Sequence, residues 1–179
     1  DKIVDLEATY FDNWGEPTLE AEADGSKLNV SFGQKEQTVF LGLHNSSPSY
    51  DVTFGAFSYP SKLDIALGAG TGNVDLEQVA LEEVKADVGA GKLVITLAED
   101  SIPESMDLDV GAGSLEINLP ENVGYMIDYS IGAGQLNSRG DEIGGIGSDD
   151  DNHESDNFDQ ADVTVTIKAD IGAGKITIN

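Results

Sequence analysis

The sequence predicts a mainly β protein, a single-stranded β-solenoid whose rungs of about 21 residues turn at Gly-Ala-Gly corners. The tripeptide Gly-Ala-Gly occurs five times, at steps of 21, 22, 21 and 40 residues, and its copies start at Gly68, Gly89, Gly111, Gly132 and Gly172. Apolar side chains alternate with polar ones around each copy, which is the pattern of β-strands. A single rung would leave both its edges unpaired, so the rungs are expected to stack.

The third corner shows how each rung is expected to turn. The side chains expected to face inward are Leu108, Val110 and Ala112 before the corner and Leu115, Ile117 and Leu119 after it. The inward positions change from even to odd numbers across Gly113 and Ser114, so the chain must bend there. Glycine permits such a bend, and a small alanine between two glycines would fit a narrow inner edge. Ala112 is therefore predicted to lie inside.

Two regions flank or interrupt this repeat. Residues 1–57 hold most of the aromatic side chains and are predicted to form an N-terminal β cap before the repeat region 58–179, all within one continuous domain. Within the repeat, residues 81–88 have a helical spacing but lie between two regular copies, which favours strand or turn.

The 40-residue step contains an acidic loop insertion at about 140–162, with nine acids and no Lys or Arg from Asp141 to Asp162. That composition buries little apolar area, and six carboxylates in residues 149–159 repel one another. The insertion is expected to be mobile and to add no stability. The last rung then ends the chain.

Length, composition and charge exclude several function classes. The chain has 179 residues, 39% of them hydrophobic, which is enough for one domain with a real core. It has no cysteine, so disulfides, thiol catalysis and Fe–S clusters are excluded. Its formal charge of −25 repels phosphate backbones and anionic headgroups, which argues against a nucleic-acid partner. No apolar run reaches the roughly 18 residues of a membrane span, so this segment is not expected to insert, although a segment upstream of Asp1 could tether it.

The chain contains the runs Pro60 to Leu76, Leu81, Lys85 to Gly91, and Leu115 to Pro120. Together these runs resemble the toast-rack domain of bacterial cell-envelope proteins. The resemblance extends from about Ser58 to Leu136 and implies a stack of β rungs, as in LiaF-type cell-wall stress proteins and proteins proposed to be adhesins. The family has no established catalytic residue.

The resemblance implies a non-catalytic, envelope-associated scaffold or interaction module whose partner is an unidentified protein or cell-wall or surface component. The expected location is extracytoplasmic, at the envelope or surface, with the cytoplasmic face of the membrane as the alternative. The strong negative charge fits either a basic partner or simple solubility.

No catalytic or cofactor-binding residue is predicted. A phosphate-binding Walker loop needs Ser or Thr after its Lys, but Lys92 and Lys175 are followed by Leu93 and Ile176. The histidines, His44 and His153, stand in polar contexts without a nucleophile motif, and no zinc-ligand pair is present. A carbohydrate-active or other enzyme is the disfavoured alternative.

Calcium is the most serious chemical alternative, because the acidic loop 149–159 offers many carboxylate oxygens. Its candidate ligands are Asp149, Asp151 and Asp156. The spacing does not match an EF-hand, in which Glu154 would occupy the glycine position. A solvated acidic loop is therefore the favoured interpretation, and a calcium-dependent binding protein is the alternative. No metal or other cofactor is predicted.

Overall fold

A computed structural model describes residues 4–9, 17–24, 27–34, 49–54, 57–148 and 151–179. The described residues form sixteen β-strands and two short 3-10 helices, Glu99–Ser101 and Phe158–Gln160, and they contain no α-helix. The prediction of a mainly β protein is therefore confirmed. Within the same ranges, no helix has the length and hydrophobicity of a membrane span.

The strands follow one another along the chain in this order. The first eight are β1 (Val4–Thr9), β2 (Pro17–Asp24), β3 (Lys27–Gln34), β4 (Ser49–Phe54), β5 (Phe57–Leu67), β6 (Thr71–Asp75), β7 (Val79–Val88) and β8 (Lys92–Thr96). The second eight are β9 (Ser105–Val110), β10 (Ser114–Asn118), β11 (Val123–Ile131), β12 (Gln135–Ser138), β13 (Asp141–Gly144), β14 (Asp151–Glu154), β15 (Val163–Ile171) and β16 (Lys175–Ile178). Strand β7 confirms the strand interpretation of residues 81–88.

The strands are arranged in two large sheets and one hairpin. The eight-stranded sheet has the order β1-β4-β6-β8-β10-β16-β12-β13. The six-stranded sheet has the order β14-β11-β15-β9-β7-β5. Strands β2 and β3 pair antiparallel with each other, and β4 continues the eight-stranded sheet by pairing parallel with β6.

Each Gly-Ala-Gly corner joins the two large sheets. We define a unit as a long strand of the six-stranded sheet, its corner, and a short strand of the eight-stranded sheet. The five units are β5–β6, β7–β8, β9–β10, β11–β12 and β15–β16. Alternate residues of both strands face inward and form one apolar core between the sheets, in which Leu108, Leu115 and Ile117 are fully buried.

The units do not stack in chain order. Strand β15 pairs parallel with β9 on one side and with β11 on the other, and β16 lies in the same way between β10 and β12. The last unit of the chain is thus inserted between the third and the fourth. The fourth unit, β11–β12, lies at the end of the stack.

The described residues of the acidic segment, 140–148 and 151–162, lie at this end of the stack. The expectation of a mobile insertion that contributes nothing was wrong for residues 151–159. Strand β13 pairs antiparallel with β12, and β14 pairs antiparallel with β11. The carboxylates of Asp151 and Glu154 belong to exposed residues, so they do not have to be buried for the backbone to pair.

Side-chain contacts hold the acidic segment on β11. The Ser155 hydroxyl oxygen accepts a hydrogen bond of 2.9 Å from the Tyr125 backbone N–H, and the Ser155 N–H donates to the Tyr125 carbonyl, also at 2.9 Å. Arg139 donates from Nη1 to Asn157 Oδ1 at 3.0 Å and from Nη2 to the Val123 carbonyl at 2.7 Å. These bonds supply the stabilisation that the composition of the segment did not indicate.

Candidate functional site

The five corners lie on top of one another and form one continuous edge of the molecule. The backbone N–H of each corner alanine donates to the carbonyl of the first glycine in the neighbouring corner. These bonds are Ala90 to Gly68 at 2.8 Å, Ala112 to Gly89 at 2.8 Å, Ala173 to Gly111 at 2.7 Å and Ala133 to Gly172 at 2.7 Å. The corners therefore follow the same order as the strands, with the last unit inserted.

The corner alanines face solvent, so the prediction that Ala112 lies inside was wrong. All five are exposed, namely Ala69, Ala90, Ala112, Ala133 and Ala173. The third glycine of the corner occupies the inner position instead. A Cβ on Gly113 would lie 2.9 Å from Val88 Cγ1 in the core and 2.3 Å from the carbonyl oxygen of Gly91. The inward-facing positions thus change from even to odd numbers at Gly113, and Ala112 before it faces solvent.

Close backbone contact explains why these corners use glycine. A Cβ on Gly134 would lie 2.4 Å from the Gly174 carbonyl oxygen, and one on Gly174 would lie 2.5 Å from that of Gly113. Distances under 3.0 Å are essentially never seen for a real Cβ. Adjacent strands are about 4.8 Å apart, so a corner that bulges toward its neighbour has no room for a side chain.

We call the exposed edge formed by the five alanines and the glycine that precedes each of them the corner face. At one end of this face lies a shallow groove of about 460 Å³, which we call the corner groove. Its walls include Ala112, Ala133 and Ala173, and Ile146 forms part of its rim. Ile146 is 82% exposed and is the large hydrophobic side chain that the described residues leave in solvent.

A polar network lies at the same end of the stack, around the buried tyrosines of the fourth unit. The hydroxyls of Tyr125 and Ser138, both buried, form a hydrogen bond with each other. The Arg139 guanidinium lies 5.3 Å from the centre of the Tyr125 ring. Tyr129 donates from its hydroxyl to the Ile143 carbonyl at 2.8 Å, and burial, with a smaller contribution from Asp151, raises the pKa of Tyr129. Each of these groups has a partner, so the network is structural.

The proposed calcium ligands are only partly described. Asp151 lies in β14 and Asp156 follows it, while Asp149 lies outside the described residues. Within the described part of the chain, no group of three or more His, Cys, Asp or Glu side chains is close enough together to hold a metal ion. Of the two histidines, His153 lies in β14 with its ring centre 6.5 Å from that of Tyr125, and His44 is outside the described residues.

The outer face of the six-stranded sheet carries charges in register. One row runs across five strands with alternating sign: Asp64, Lys85, Asp107, Lys168 and Asp128. In the next row, Asp87, Asp109 and Asp170 are direct neighbours and share one sign. Lys168 Nζ lies 3.2 Å from Asp170 Oδ2, which connects the two rows. The sequence shows these acids but not the rows, because the rows depend on which strands are neighbours.

Comparison with known proteins identifies the family. No curated protein sequence matches the chain. The chain is similar to the crystal structure of a proposed cell adhesion protein from Clostridium sporogenes ATCC 15579, with a TM-score of 0.74 and 19% identity over 99% of this chain and 82% of that one. At this identity the likeness shows the fold alone. A family profile described as the N-terminal domain of toast_rack, DUF2154, matches residues 1–118, well over half of the 179 residues. The chain therefore belongs to the toast-rack family, as the sequence motifs predicted.

Proposed function

We propose that this chain is a non-catalytic interaction domain of the bacterial cell envelope, of adhesin type, and that the corner face is its contact surface. The observation that carries the proposal is the corner groove with its exposed Ile146. Contiguous exposed apolar surface rimmed by polar residues marks interaction sites. We take Ile146 and the alanines of the groove as such a surface, with Gln135, Glu142 and Lys175 as its polar rim.

The architecture we propose behind this face is one continuous β-solenoid with an inserted last unit, in which residues 1–57 form the N-terminal cap and residues 58–179 the repeat. Parallel registers that step by 21 or 22 residues, such as Gly72 with Leu93 and Leu93 with Leu115, support this proposal. A stacked architecture places every corner alanine on one edge, and so makes a long contact surface from a short repeat.

We place the domain outside the cytoplasm, at the envelope or surface. Family membership and the name of the Clostridium sporogenes protein support this location. A net charge of −25 disfavours direct binding to anionic cell-wall polymers or lipids. The partner we propose is a protein with a neutral or basic surface that meets the corner face.

Site-specific photo-crosslinking in the intact envelope tests this proposal. The photoreactive residue p-benzoylphenylalanine replaces Ala173 on the corner face in one variant, and Thr166 on the outer face of β15 in the matched control. Both positions are exposed and lie in the same unit. We expect a discrete crosslinked product from position 173 and none from position 166.

Two results would contradict the proposal. Products of equal yield from positions 166 and 173 would show that the corner face is not the contact surface. Release of soluble fragments from purified cell-wall glycan by the isolated chain would favour the carbohydrate-active enzyme instead.

A further inference from the structure

An apolar cavity of about 190 Å³ lies between the two sheets at the first corner, at the opposite end of the stack from the corner groove. Its walls include Tyr50, Val52, Ile65, Leu67, Val74 and Leu93. Gly68 and Ala69, which are exposed, also line it, so the cavity is reached from the corner side. None of these residues lines the corner groove, although Gly68 and Ala69 also belong to the corner face.

The cavity exists because a glycine stands where the other units have a large side chain. Gly72 is in register with Leu93, and the same inward row continues through Leu115, Ile176 and Leu136. A Cβ on Gly72 would lie 3.2 Å from Leu93 Cδ1, with no backbone atom closer than 4.0 Å. Unlike Gly134, Gly72 is therefore not required by a close backbone approach. An unfilled core position destabilises a fold, so a ligand that fills it would offset a real cost.

Tyr50 is the tyrosine among the residues that line this cavity. It is only 9% exposed, and its hydroxyl has no hydrogen-bond partner among the described residues. Buried hydroxyls without a partner are unfavourable and uncommon in folded proteins. Burial raises the pKa of Tyr50, so the hydroxyl keeps its proton at neutral pH and can donate a hydrogen bond.

We propose that this cavity binds a neutral small molecule with a ring-sized apolar body and one hydrogen-bond acceptor that pairs with the Tyr50 hydroxyl. A cavity of about 150 Å³ lined by aliphatic side chains holds benzene, so about 190 Å³ suits a ring with a small substituent. The apolar walls disfavour a charged ligand because they cannot replace its hydration.

Titrations with p-cresol and toluene, followed by methyl NMR of the whole chain, test the proposal. The two probes have similar shapes, but only p-cresol carries an acceptor oxygen. We expect both to bind saturably and to shift the methyl signals of Ile65, Leu67 and Leu93. Tyr50→Phe should lower the affinity for p-cresol about 5- to 10-fold, which corresponds to one neutral hydrogen bond, and should leave the affinity for toluene unchanged.

Two further variants complete the test. Tyr129→Phe is the matched control, because Tyr129 lies at the far end of the stack and donates to the Ile143 carbonyl; it should not change the affinity for p-cresol. Gly72→Leu should abolish binding of both probes by filling the cavity.

The proposal fails if p-cresol shows no saturation up to about 10 mM with the unmodified chain. It also fails if Tyr50→Phe changes the affinities for p-cresol and toluene equally. It fails as well if Tyr50→Phe changes the affinity for p-cresol no more than Tyr129→Phe does. The tyrosine comparison decides the matter even if Gly72→Leu does not fold.

Discussion

Lys168 of β15 lies in register with Asp107 of the neighbouring strand β9, and its other neighbour in the same row is Asp128 of β11. The inserted strand thus places a cation between two carboxylates. Stacking in chain order would put Asp107 beside Asp128, and like charges directly opposite each other on neighbouring strands are destabilising. We infer that this row of charges helps to select the observed order of the units.

Lys168→Glu should therefore destabilise the domain by placing three acids side by side. Lys175→Glu is the matched control, because it makes the same charge change between the uncharged Ser114 and Gln135. We expect a lower melting temperature for Lys168→Glu than for Lys175→Glu at low salt, and a smaller difference at about 1 M NaCl, where surface charges are screened. Equal melting temperatures at low salt would show that the row does not influence stability.

Gly134→Ala should destabilise the stack, because the new Cβ would lie 2.4 Å from the Gly174 carbonyl oxygen and 2.5 Å from Ile171 Cγ2. Overpacking of this kind typically costs about 1 to 3 kcal/mol. Gly68→Ala is the control, since nothing lies within 4 Å of its Cβ position. Urea unfolding measures both free energies. If the two variants have the same stability, the corners do not pack as closely as described.

Ala112→Leu should be nearly neutral, because Ala112 is exposed on the corner face. Surface substitutions away from special features usually change the free energy of unfolding by less than about 0.5 kcal/mol. Urea unfolding of this variant checks the outward direction of the corner alanines. A loss of more than about 1 kcal/mol would instead indicate the interior position that the alternation suggested.

The domain should lose stability above about pH 10, because burial raises the pKa of Tyr50 and of Tyr129 above the ordinary tyrosine value. A group whose pKa is higher in the folded state contributes its full stabilisation below the unfolded pKa, and that contribution is lost as pH rises toward the folded pKa. Hydrogen bonds to Glu83 and Asp170 raise the pKa values of Lys62 and Lys168 respectively. These two raised pKa values also make the folded state less stable as the pH rises.

Melting temperatures measured from about pH 8 to 11 would show this decline. Tyr129→Phe should flatten the decline, although it loses the bond to the Ile143 carbonyl at every pH. If the melting temperatures of the unmodified chain and of Tyr129→Phe fall in parallel as the pH rises, ionisation of Tyr129 does not cause the decline.

Calcium should not raise the melting temperature more than magnesium does. A site of micromolar affinity in the folded state would be worth about 4 kcal/mol at millimolar calcium, which corresponds to a rise of several degrees. A thermal scan with calcium, with magnesium and with chelator measures this. A calcium-specific rise that disappears when Asp149, Asp151 and Asp156 are changed to Asn would support the calcium-dependent alternative.

Much of the local structure could be predicted because it depends on neighbours in the sequence. Alternation of apolar and polar residues predicted strands such as β9 and β10, and the Gly-Ala-Gly period predicted where the chain passes from one sheet to the other. The expectation for residues 151–159 was wrong, because their order comes from pairing with β11 and from contacts such as Arg139 with Asn157. The composition of the segment shows the repelling carboxylates, but it contains no information about a hydrogen-bond partner 18 residues away.

By itself, the sequence determined the strand-rich class, the corner positions, the family and the absence of thiol chemistry, since each follows from residue types and their period. The tertiary structure decided the order of the units and the outward direction of the corner alanines. The sequence repeat shows that similar units can pair. Because every unit has similar strand edges, long-range contacts determine which units become neighbours. Lys168 between Asp107 and Asp128 is one such contact. The tertiary structure also positions β13, because Tyr129 of β11 donates to the Ile143 carbonyl at the end of the stack.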